Sequence, residues 1–233
     1  MIHGSSAQGL DNPSKFWDML EEREQKALRV AGDRKIYGAR KLIVNEGETS
    51  EFAIVIETGW VKITRRLSGE ERTALALRGP RDLVGECAFD GQRRTASVTA
   101  LTEVSGLCVM AAQLSAFLES YPAAARALRR IDRDRRMEIE RAQMGVQNEN
   151  GDRRLARLLL ELADNMGHVA EGRPGTLIDV PLSKDELGQL ISVKRSTVDR
   201  ALRSWRDRGF VTTGYCEVTL LNPAELRRIA RQD

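Results

Sequence analysis

The stretch LSKDELGQLISVKRSTVDRALRSWRDRG, residues 182–209, predicts two short helices joined by a tight turn. Ser183 can cap the first helix, and Glu186 three residues later completes a capping box. Apolar residues at helical spacing give each helix one buried face. These residues are Leu187, Leu190 and Ile191 in the first helix, and Val198, Ala201, Leu202 and Trp205 in the second. The pattern is typical of a helix-turn-helix unit.

The other face of the second helix is basic. Residues 194–208 contain six Lys or Arg residues against two Asp or Glu residues. The first turns of the second helix are the part of such a unit that enters the major groove. Here these turns carry Lys194, Arg195, Ser196, Thr197, Asp199 and Arg200. We therefore predict double-stranded DNA as a partner. The alternative is an ordinary helical hairpin with a solvated charged face.

Composition favours a globular protein without a membrane partner. The 233 residues are 41% hydrophobic and 30% charged, with a net charge of only +3. The apolar runs are too short to cross a bilayer. The first residues lack a basic segment followed by an apolar one, so we expect no signal peptide and a cytoplasmic location.

Cysteine and histidine are too sparse for common cofactor sites. Cys87, Cys108 and Cys216 are far apart in the sequence, and the two histidines are His3 and His168. A structural zinc site or a cysteine-bound iron–sulfur cluster would lack ligands. We expect no metal or cofactor. We also expect no enzymatic activity, because no nucleophile is paired with a base.

Residues 41–110 alternate short apolar runs with glycines, which predicts an all-β sandwich or barrel. The runs are 42–44, 52–56, 61–63, 74–77, 98–100 and 107–109. A helix over roughly 16–30 precedes them. The chain as a whole is thus expected to be α+β.

A long helix is predicted over 123–148, which lacks proline and has no glycine before Gly145. Its narrow apolar seam comprises Ala124, Leu128, Ile131, Ile139, Ala142 and Val146, with Arg135 interrupting it. A twin helix satisfies such a seam, so we predict a parallel two-stranded homodimer. Packing of this helix on its own β domain is the alternative.

Residues 148–152, NENGD, break the helical pattern and predict a hinge, with Asn150 or Asp152 as the cap of a new helix from Arg153. Beyond it we predict a loop at 164–174, a β-hairpin wing at 210–221 and a terminal helix capped by Asn222. The predicted domains are a sensor (16–122), a dimerisation helix (123–149) and a DNA-binding domain (150–233).

This order of elements resembles the Crp/Fnr, or catabolite activator, family of bacterial transcription regulators over roughly 16–230. The segment 82–88, DLVGECA, followed by Arg94-Thr95-Ala96, is similar to the phosphate-binding cassette of cyclic-nucleotide domains. The segment 195–200, RSTVDR, is similar to the family's Arg-Glu-Thr-Val-x-Arg recognition motif. The resemblance implies a jelly-roll sensor (a double-stranded β-helix) and a winged helix-turn-helix.

The cassette's residue types suit a small anionic effector, and the resemblance implies cyclic AMP or a related cyclic nucleotide. A backbone N–H at Gly85 can approach a phosphate closely. Arg94 and Thr95 can donate to that phosphate, and Glu86 can accept from a ribose hydroxyl. Arg93 is an alternative register for the arginine, and a tight turn with a surface arginine is the structural alternative. Cys87 and Ala88 complete the expected ligand-binding set.

Recognition of the base departs from the cyclic-AMP activator. The positions that carry adjacent Thr and Ser in that protein fall near Ile139 and Glu140, and Gln143 is the nearest amide. We take Glu140 and Gln143 as candidate base contacts. A non-adenine base, a cyclic dinucleotide or a degenerate pocket stays open. A thiol sensor at Cys87 is a further alternative to a sulfur that merely fills space.

On the DNA side, Arg195 and Arg200 match the family's base-reading arginines, whose fork suits guanine. Ser196 replaces the family's glutamate, so we expect a site related to, but different from, the TGTGA half-site. Ser183, Lys184 and Thr197 are expected to hold phosphates, which set the register but carry no sequence information. Lys194 belongs to the same expected DNA-binding set. RNA polymerase is a further partner if the protein activates transcription.

Two other functions stay open: a family member that binds DNA without a nucleotide, and a ligand-binding module with a vestigial DNA domain.

Overall fold

A computed structural model describes residues 15–66, 72–86, 93–144, 150–172, 174–179, 181–214 and 216–231. The N-terminal part opens with a turn of 3₁₀ helix (Trp17–Met19) and helix α1 (Glu22–Ala31). Eight strands follow: β1 (Asp33–Tyr37), β2 (Leu42–Val44), β3 (Phe52–Thr58), β4 (Val61–Arg66), β5 (Arg72–Arg78), β6 (Leu83–Val84), β7 (Ser97–Ala100) and β8 (Val104–Met110).

The eight strands form two antiparallel sheets, in the orders β1-β8-β3-β6 and β2-β7-β4-β5. Strand β3 is apolar from Phe52 to Ile56 because both faces of this part are covered. Ile54 and Ile56 join a core shared with the second sheet, while Ala53 and Val55 pack under helices. The predicted α+β class is confirmed. Strands β1 and β6 were missed, since β1 is mostly exposed and β6 has two residues.

Helix α2 (Ala111–Ser120) and helix α3 (Pro122–Met144) cover the outer face of the first sheet. Ala124, Leu128 and Ile131 of α3 are buried in this layer. The first half of the predicted dimer seam therefore packs on its own sensor, as the alternative interpretation held. Ile139 and Ala142 lie on α3 with side chains outside the described part, and Val146 lies outside the described residues.

The second sheet has a bulge where β5 pairs with β4. In the β4–β5 pairing, Ile63 lies opposite Ala76, whereas Thr64 lies opposite Ala74. Leu75 is thus an extra residue on β5, which forms the edge of the sheet.

The C-terminal part begins with helix α4 (Gly151–Met166) and strand β9 (Thr176–Asp179). Helices α5 (Lys184–Leu190) and α6 (Arg195–Asp207) form the helix-turn-helix. Strands β10 (Val211–Thr213) and β11 (Glu217–Leu220) form the wing, and helix α7 (Pro223–Arg231) ends the chain.

Most of the local predictions for this part are confirmed. All four residues assigned to the inner face of α6 are buried. Asn150 caps α4 by accepting from the Asp152 N–H, and Asn222 accepts from the Glu225 N–H. The loop predicted at 164–174 is wrong at its start, because α4 continues to Met166. Strand β9, which pairs with β11, was missed because its apolar run is two residues long.

Candidate functional sites: the sensor cassette and the helix-turn-helix surface

The cassette begins with a tight turn at Gly85. This residue has φ +81°, a left-handed conformation that strains residues with a Cβ. A Cβ added here would lie 3.1 Å from both Arg94 Nη1 and the Phe52 carbonyl oxygen. The turn therefore needs glycine for its conformation and for the close approach of its neighbours.

Arg94 is buried beneath this turn, with 4% of its surface exposed. Its Nη1 donates to the Gly85 carbonyl at 2.6 Å and its Nη2 to the Phe52 carbonyl at 2.5 Å. Its Nε donates to Ser50 Oγ at 2.9 Å. The guanidinium thus joins the cassette turn to the start of β3. Arg94 has a structural role in addition to any contact with an effector.

Arg93 and Arg94, the two candidate arginines of the cassette, lie in different environments. Arg93 is exposed and donates from Nη1 to the Gly47 carbonyl at 3.2 Å. Thr95 is also exposed. The geometry places Arg94, and not Arg93, beside Gly85 and Phe52, so Arg94 is the arginine of the cassette interior.

Sequence analysis missed Arg135, a residue of α3 that reaches the cassette. Its Nη1 donates to Glu86 Oε1 at 2.5 Å and its Nη2 to the Leu83 carbonyl at 2.6 Å. Burial works to lower the pKa of Arg135, but the carboxylates of Glu86, Asp82 and Asp132 together outweigh it and raise this pKa above its ordinary value. A signal was present, since Arg135 interrupts the apolar seam of α3.

The remaining predicted ligand contacts are not tested by these side-chain positions. Cys87 and Ala88 lie outside the described residues. Glu140 and Gln143 lie on α3, five and eight positions beyond Arg135, but their side chains lie outside the described part. At 1.5 Å of rise per residue these positions are about 7 and 12 Å further along the helix. Their role in base recognition stays a prediction.

The first helix of the helix-turn-helix begins with the predicted capping box. Ser183 Oγ accepts from the Glu186 N–H, while Glu186 Oε2 accepts from the Ser183 N–H at 2.9 Å. Gly188 allows the turn to fold back, because a Cβ there would lie 2.7 Å from the Val193 carbonyl. Ser192 takes the left-handed conformation that this turn requires.

The predicted DNA contacts form one mostly exposed surface. Lys194, Arg195, Ser196 and Arg200 are exposed, as is Ser183. Thr197 is partly buried. Lys184 of α5 contacts Asp199 of α6, so the start of α5 lies beside the first turns of α6. The contact of these residues with DNA stays a prediction.

Asp199 introduces a carboxylate into this basic surface. It accepts from Lys184 Nζ at 2.8 Å and lies 3.6 Å from Arg195 Nε. The hydrogen bond from Lys184 is the largest influence that holds the pKa of Asp199 below its ordinary value. Asp199 is therefore ionised at neutral pH, and it links a residue of α5 to one of α6.

Two regions match models of known protein families. Residues 34–121 match the cyclic nucleotide-binding domain, and residues 153–229 match the Crp-like helix-turn-helix domain. A CRP-like cAMP-activated global transcriptional regulator from Mycobacterium tuberculosis is 31% identical over 80% of this chain and 83% of its own length. The chain belongs to the Crp/Fnr family.

Other members of the Crp/Fnr family align over similar lengths. A cyclic AMP receptor protein from Thermus thermophilus is 29% identical over 84% of this chain and 88% of its own length. The crystal structure of a CRP-family transcriptional regulator, also from Thermus thermophilus, is 26% identical. It superposes with a TM-score of 0.68 over 85% of this chain and 97% of that one.

The Crp/Fnr chain is therefore a DNA-binding transcription regulator with a cyclic nucleotide-binding domain. Among the described residues, no group of three or more His, Cys, Asp or Glu side chains is placed to hold a metal ion. Over the same residues, no helix is both long and apolar enough to cross a membrane.

Proposed function

We propose that this Crp/Fnr protein is a homodimer whose sensor binds a small anionic effector, cyclic AMP or a related cyclic nucleotide. The effector repositions the two recognition helices on a pseudo-palindromic operator. The observation that carries this proposal is the ion pair between Glu86 of the cassette and Arg135 of α3. It ties the expected ligand site to the helix that is expected to form the dimer.

An effector in the cassette must change this pair. A ribose hydroxyl that donates to Glu86 competes with Arg135 for the same carboxylate. Because Arg135 lies on α3, its displacement or reorientation biases how α3 packs. A ligand shifts such an equilibrium only through its differential affinity for the two arrangements, and the Glu86–Arg135 contact supplies that difference.

Charge supports an anionic ligand. The guanidinium groups of Arg94 and Arg135 approach the Gly85–Glu86 turn, where each can meet an anionic group. Asp82, the other cassette carboxylate, is paired with Lys15, while Asp132 lies close enough to act on Arg135. Two relatives are named for cyclic AMP, which supports the same nucleotide here. We propose that Gly85, Glu86, Arg94 and Thr95 contact its sugar and phosphate, with Cys87 and Ala88 in the same loop and Glu140 and Gln143 near the base.

DNA binding in the cytoplasm is proposed through the exposed surface of α5 and α6. Arg195 and Arg200 read base edges, while Ser183, Lys184, Lys194, Ser196 and Thr197 contact phosphates or neighbouring bases. A two-fold dimer reads half-sites about 34 Å apart, so the two recognition helices must keep that spacing. We propose that the part of α3 beyond Ile131 forms the dimer contact, because the part before it is covered by the sensor.

Isothermal titration with cyclic AMP and cyclic GMP tests the effector. The key variant is Glu86→Gln, which keeps the shape of the side chain but removes its charge. Arg93→Ala is the matched control, since Arg93 is exposed and lies next to the cassette arginine. We expect the affinity for the nucleotide to be at least tenfold lower in Glu86→Gln than in wild type. In Arg93→Ala we expect the wild-type affinity. Equal binding by both variants would contradict the cassette assignment.

A second function, DNA binding without any nucleotide, is favoured by one observation. Arg94 and Arg135 both donate to acceptors of the protein itself. Because these hydrogen bonds are made within the protein, they can hold the sensor in one arrangement without an effector. A mobility-shift titration with and without cyclic AMP separates the two functions, because only the first predicts a change in DNA affinity.

The same titration at several salt concentrations tests the vestigial-domain alternative. Phosphate contacts give a steep fall of log K with log[salt]. A wild-type protein that binds no duplex at low salt would support that alternative and contradict both DNA-binding functions.

A further inference from the structure

Helix α5 of the helix-turn-helix lies against the open edge of the sensor's second sheet. The Ala74 N–H of edge strand β5 donates to Gln189 Oε1 at 2.7 Å. Lys62 Nζ of strand β4 donates to Glu186 Oε1 of the same helix. We call these two contacts, together with the apolar residues Trp60, Leu77 and Leu101 of the sensor, the α5 dock.

The bulge in β5 explains the first contact. An edge strand has outward N–H groups that need an acceptor. Ala74 lies next to the extra residue Leu75, and its N–H points to α5 instead of to β4. Gln189 Nε2 donates to Asp185 Oδ2 at 3.0 Å, which orients the amide so that its oxygen faces Ala74. Gln189 thus satisfies the sheet edge at one defined residue.

The second contact joins the capping box to the sensor. Glu186 Oε1 accepts a hydrogen bond from Lys62 Nζ. Its Oε2 accepts hydrogen bonds from the N–H and the Oγ of Ser183. The side chains of Lys62 and Glu186 are 15% and 23% exposed. Burial works to raise the pKa of Glu186, but the hydrogen bonds from Lys62 and Ser183 outweigh it and lower this pKa.

An apolar contact accompanies the polar ones. Leu101, between β7 and β8, is buried in the same core cluster as the residues of the DNA-binding domain. Trp60 and Leu77 of the sensor pack against that cluster. The dock therefore combines hydrophobic burial with two polar contacts that fix its register.

The dock leaves the DNA-reading surface free. Lys194, Arg195, Ser196 and Arg200 stay exposed while α5 is held. The sensor therefore contacts the Glu186 and Gln189 side of α5 and leaves those four residues accessible.

We propose that the α5 dock fixes the orientation of the recognition helix relative to the sensor, and that Lys62 is its positioning residue. This inference rests on the proposed dimeric, two-half-site function. A DNA-binding domain that is loosely attached to the sensor has to be oriented when it binds, and this lowers affinity for two half-sites. The dock removes this cost because the domain is already oriented. It also provides a route from the cassette, because β7 begins two residues after Thr95 and pairs Thr99 with Lys62.

Hydrogen exchange of the Ala74 amide, followed by NMR on the full chain, tests whether the dock forms. The variants are Lys62→Met, Lys62→Arg and Gln189→Ala. Arg65→Met is the matched control, because Arg65 is an exposed cation on the same strand. We expect exchange at Ala74 to accelerate at least tenfold in Lys62→Met and Gln189→Ala, and to stay near wild type in Lys62→Arg and Arg65→Met. Equal exchange in all five proteins overturns the dock.

DNA binding tests what the dock does. A duplex with two half-sites is selected with the wild-type protein from a random library, and a random-sequence duplex serves as the reference. We expect Lys62→Met to bind the two-half-site duplex about tenfold more weakly and the reference duplex unchanged, with Lys62→Arg restoring affinity. An unchanged or tighter affinity for the two-half-site duplex overturns the proposal, as does an equal loss on both duplexes.

The failure of the proposed function gives a different result. In that case the wild-type protein selects no sequence from the library. The exchange comparison at Ala74 still decides whether the dock exists, because it uses no DNA.

Discussion

The sensor cassette and the recognition helix both depend on arginine, but they hold it in opposite environments. Arg94 is 4% exposed and donates to two backbone carbonyls. The side chain of Arg195 is 67% exposed and has one loosely held partner, Asp199, at 3.6 Å. The cassette arginine is part of the fold as well as of the site, whereas the recognition-helix arginine is free to meet a ligand.

This difference determines how each site can be studied. A substitution in the cassette changes stability and binding together, because the same donors serve both. A substitution of an exposed recognition-helix residue such as Arg195 is expected to change binding with little effect on stability, because its side chain is 67% exposed. Variants of the two sites therefore need different controls.

The largest effect is expected for Arg94→Ala. Two carbonyl groups, those of Gly85 and Phe52, lose their donor, and an unsatisfied polar group costs about 1–3 kcal/mol. We expect the free energy of unfolding to fall by about 2–4 kcal/mol. Urea denaturation measures this fall. In Arg93→Ala, the exposed neighbour, a change within about 0.5 kcal/mol is expected. Equal losses of stability in Arg94→Ala and Arg93→Ala would mean that the buried hydrogen bonds of Arg94 do not support the fold.

Arg195→Ala provides the counterpart on the recognition helix. We expect a loss of about 1–3 kcal/mol in specific DNA binding and relaxed choice at one base pair. The unfolding midpoint should stay at its wild-type value because the side chain is exposed. Selection from a random duplex library, compared with wild type, measures the change in sequence preference. An equal weakening on every sequence would assign Arg195 to phosphates instead.

A smaller and uniform effect is expected for Lys184→Ala. Lys184 lies at the start of α5 and is held by Asp199 at 2.8 Å. If it contacts a phosphate, its loss should reduce the salt slope of DNA binding by about 1 and leave sequence preference unchanged. Lys41→Ala, an exposed lysine on the sensor, is the control and should leave the slope unaltered. A change in base preference would indicate direct readout by Lys184.

The smallest effect concerns pH and the Glu186 carboxylate. Its pKa in the folded protein lies below the ordinary value of 4.5. A lowered pKa stabilises the fold fully above the unfolded value, and this contribution is lost as pH falls through the folded pKa. We expect the free energy of unfolding of wild type to exceed that of Glu186→Gln by up to about 1 kcal/mol at pH 7. Thermal melts between pH 7 and 3 should show this difference shrinking below about pH 4.5. A constant difference would mean that the Glu186 charge is unimportant.

The two halves of the chain also differed in how well sequence predicted them. The helix-turn-helix was predicted with its capping box and its four buried residues on α6, because caps and helical periodicity are encoded within a few residues. The sensor strands were predicted only where at least three consecutive residues were mainly apolar. Strand β6 is two residues long, and β1 is nearly all exposed, so neither carries a local signal.

The sequence by itself determined the family, the order of β domain, long helix and helix-turn-helix, and which residues face outward on the recognition helix. These properties depend on local spacing and on motifs that are contiguous in the chain. The tertiary structure decided that Arg94 supports the cassette turn and that Arg135 meets Glu86, 49 positions away. It also decided that Lys62 meets Glu186 across 124 positions. Such contacts depend on how separate elements pack, and no local pattern specifies which distant partner a charged side chain will find.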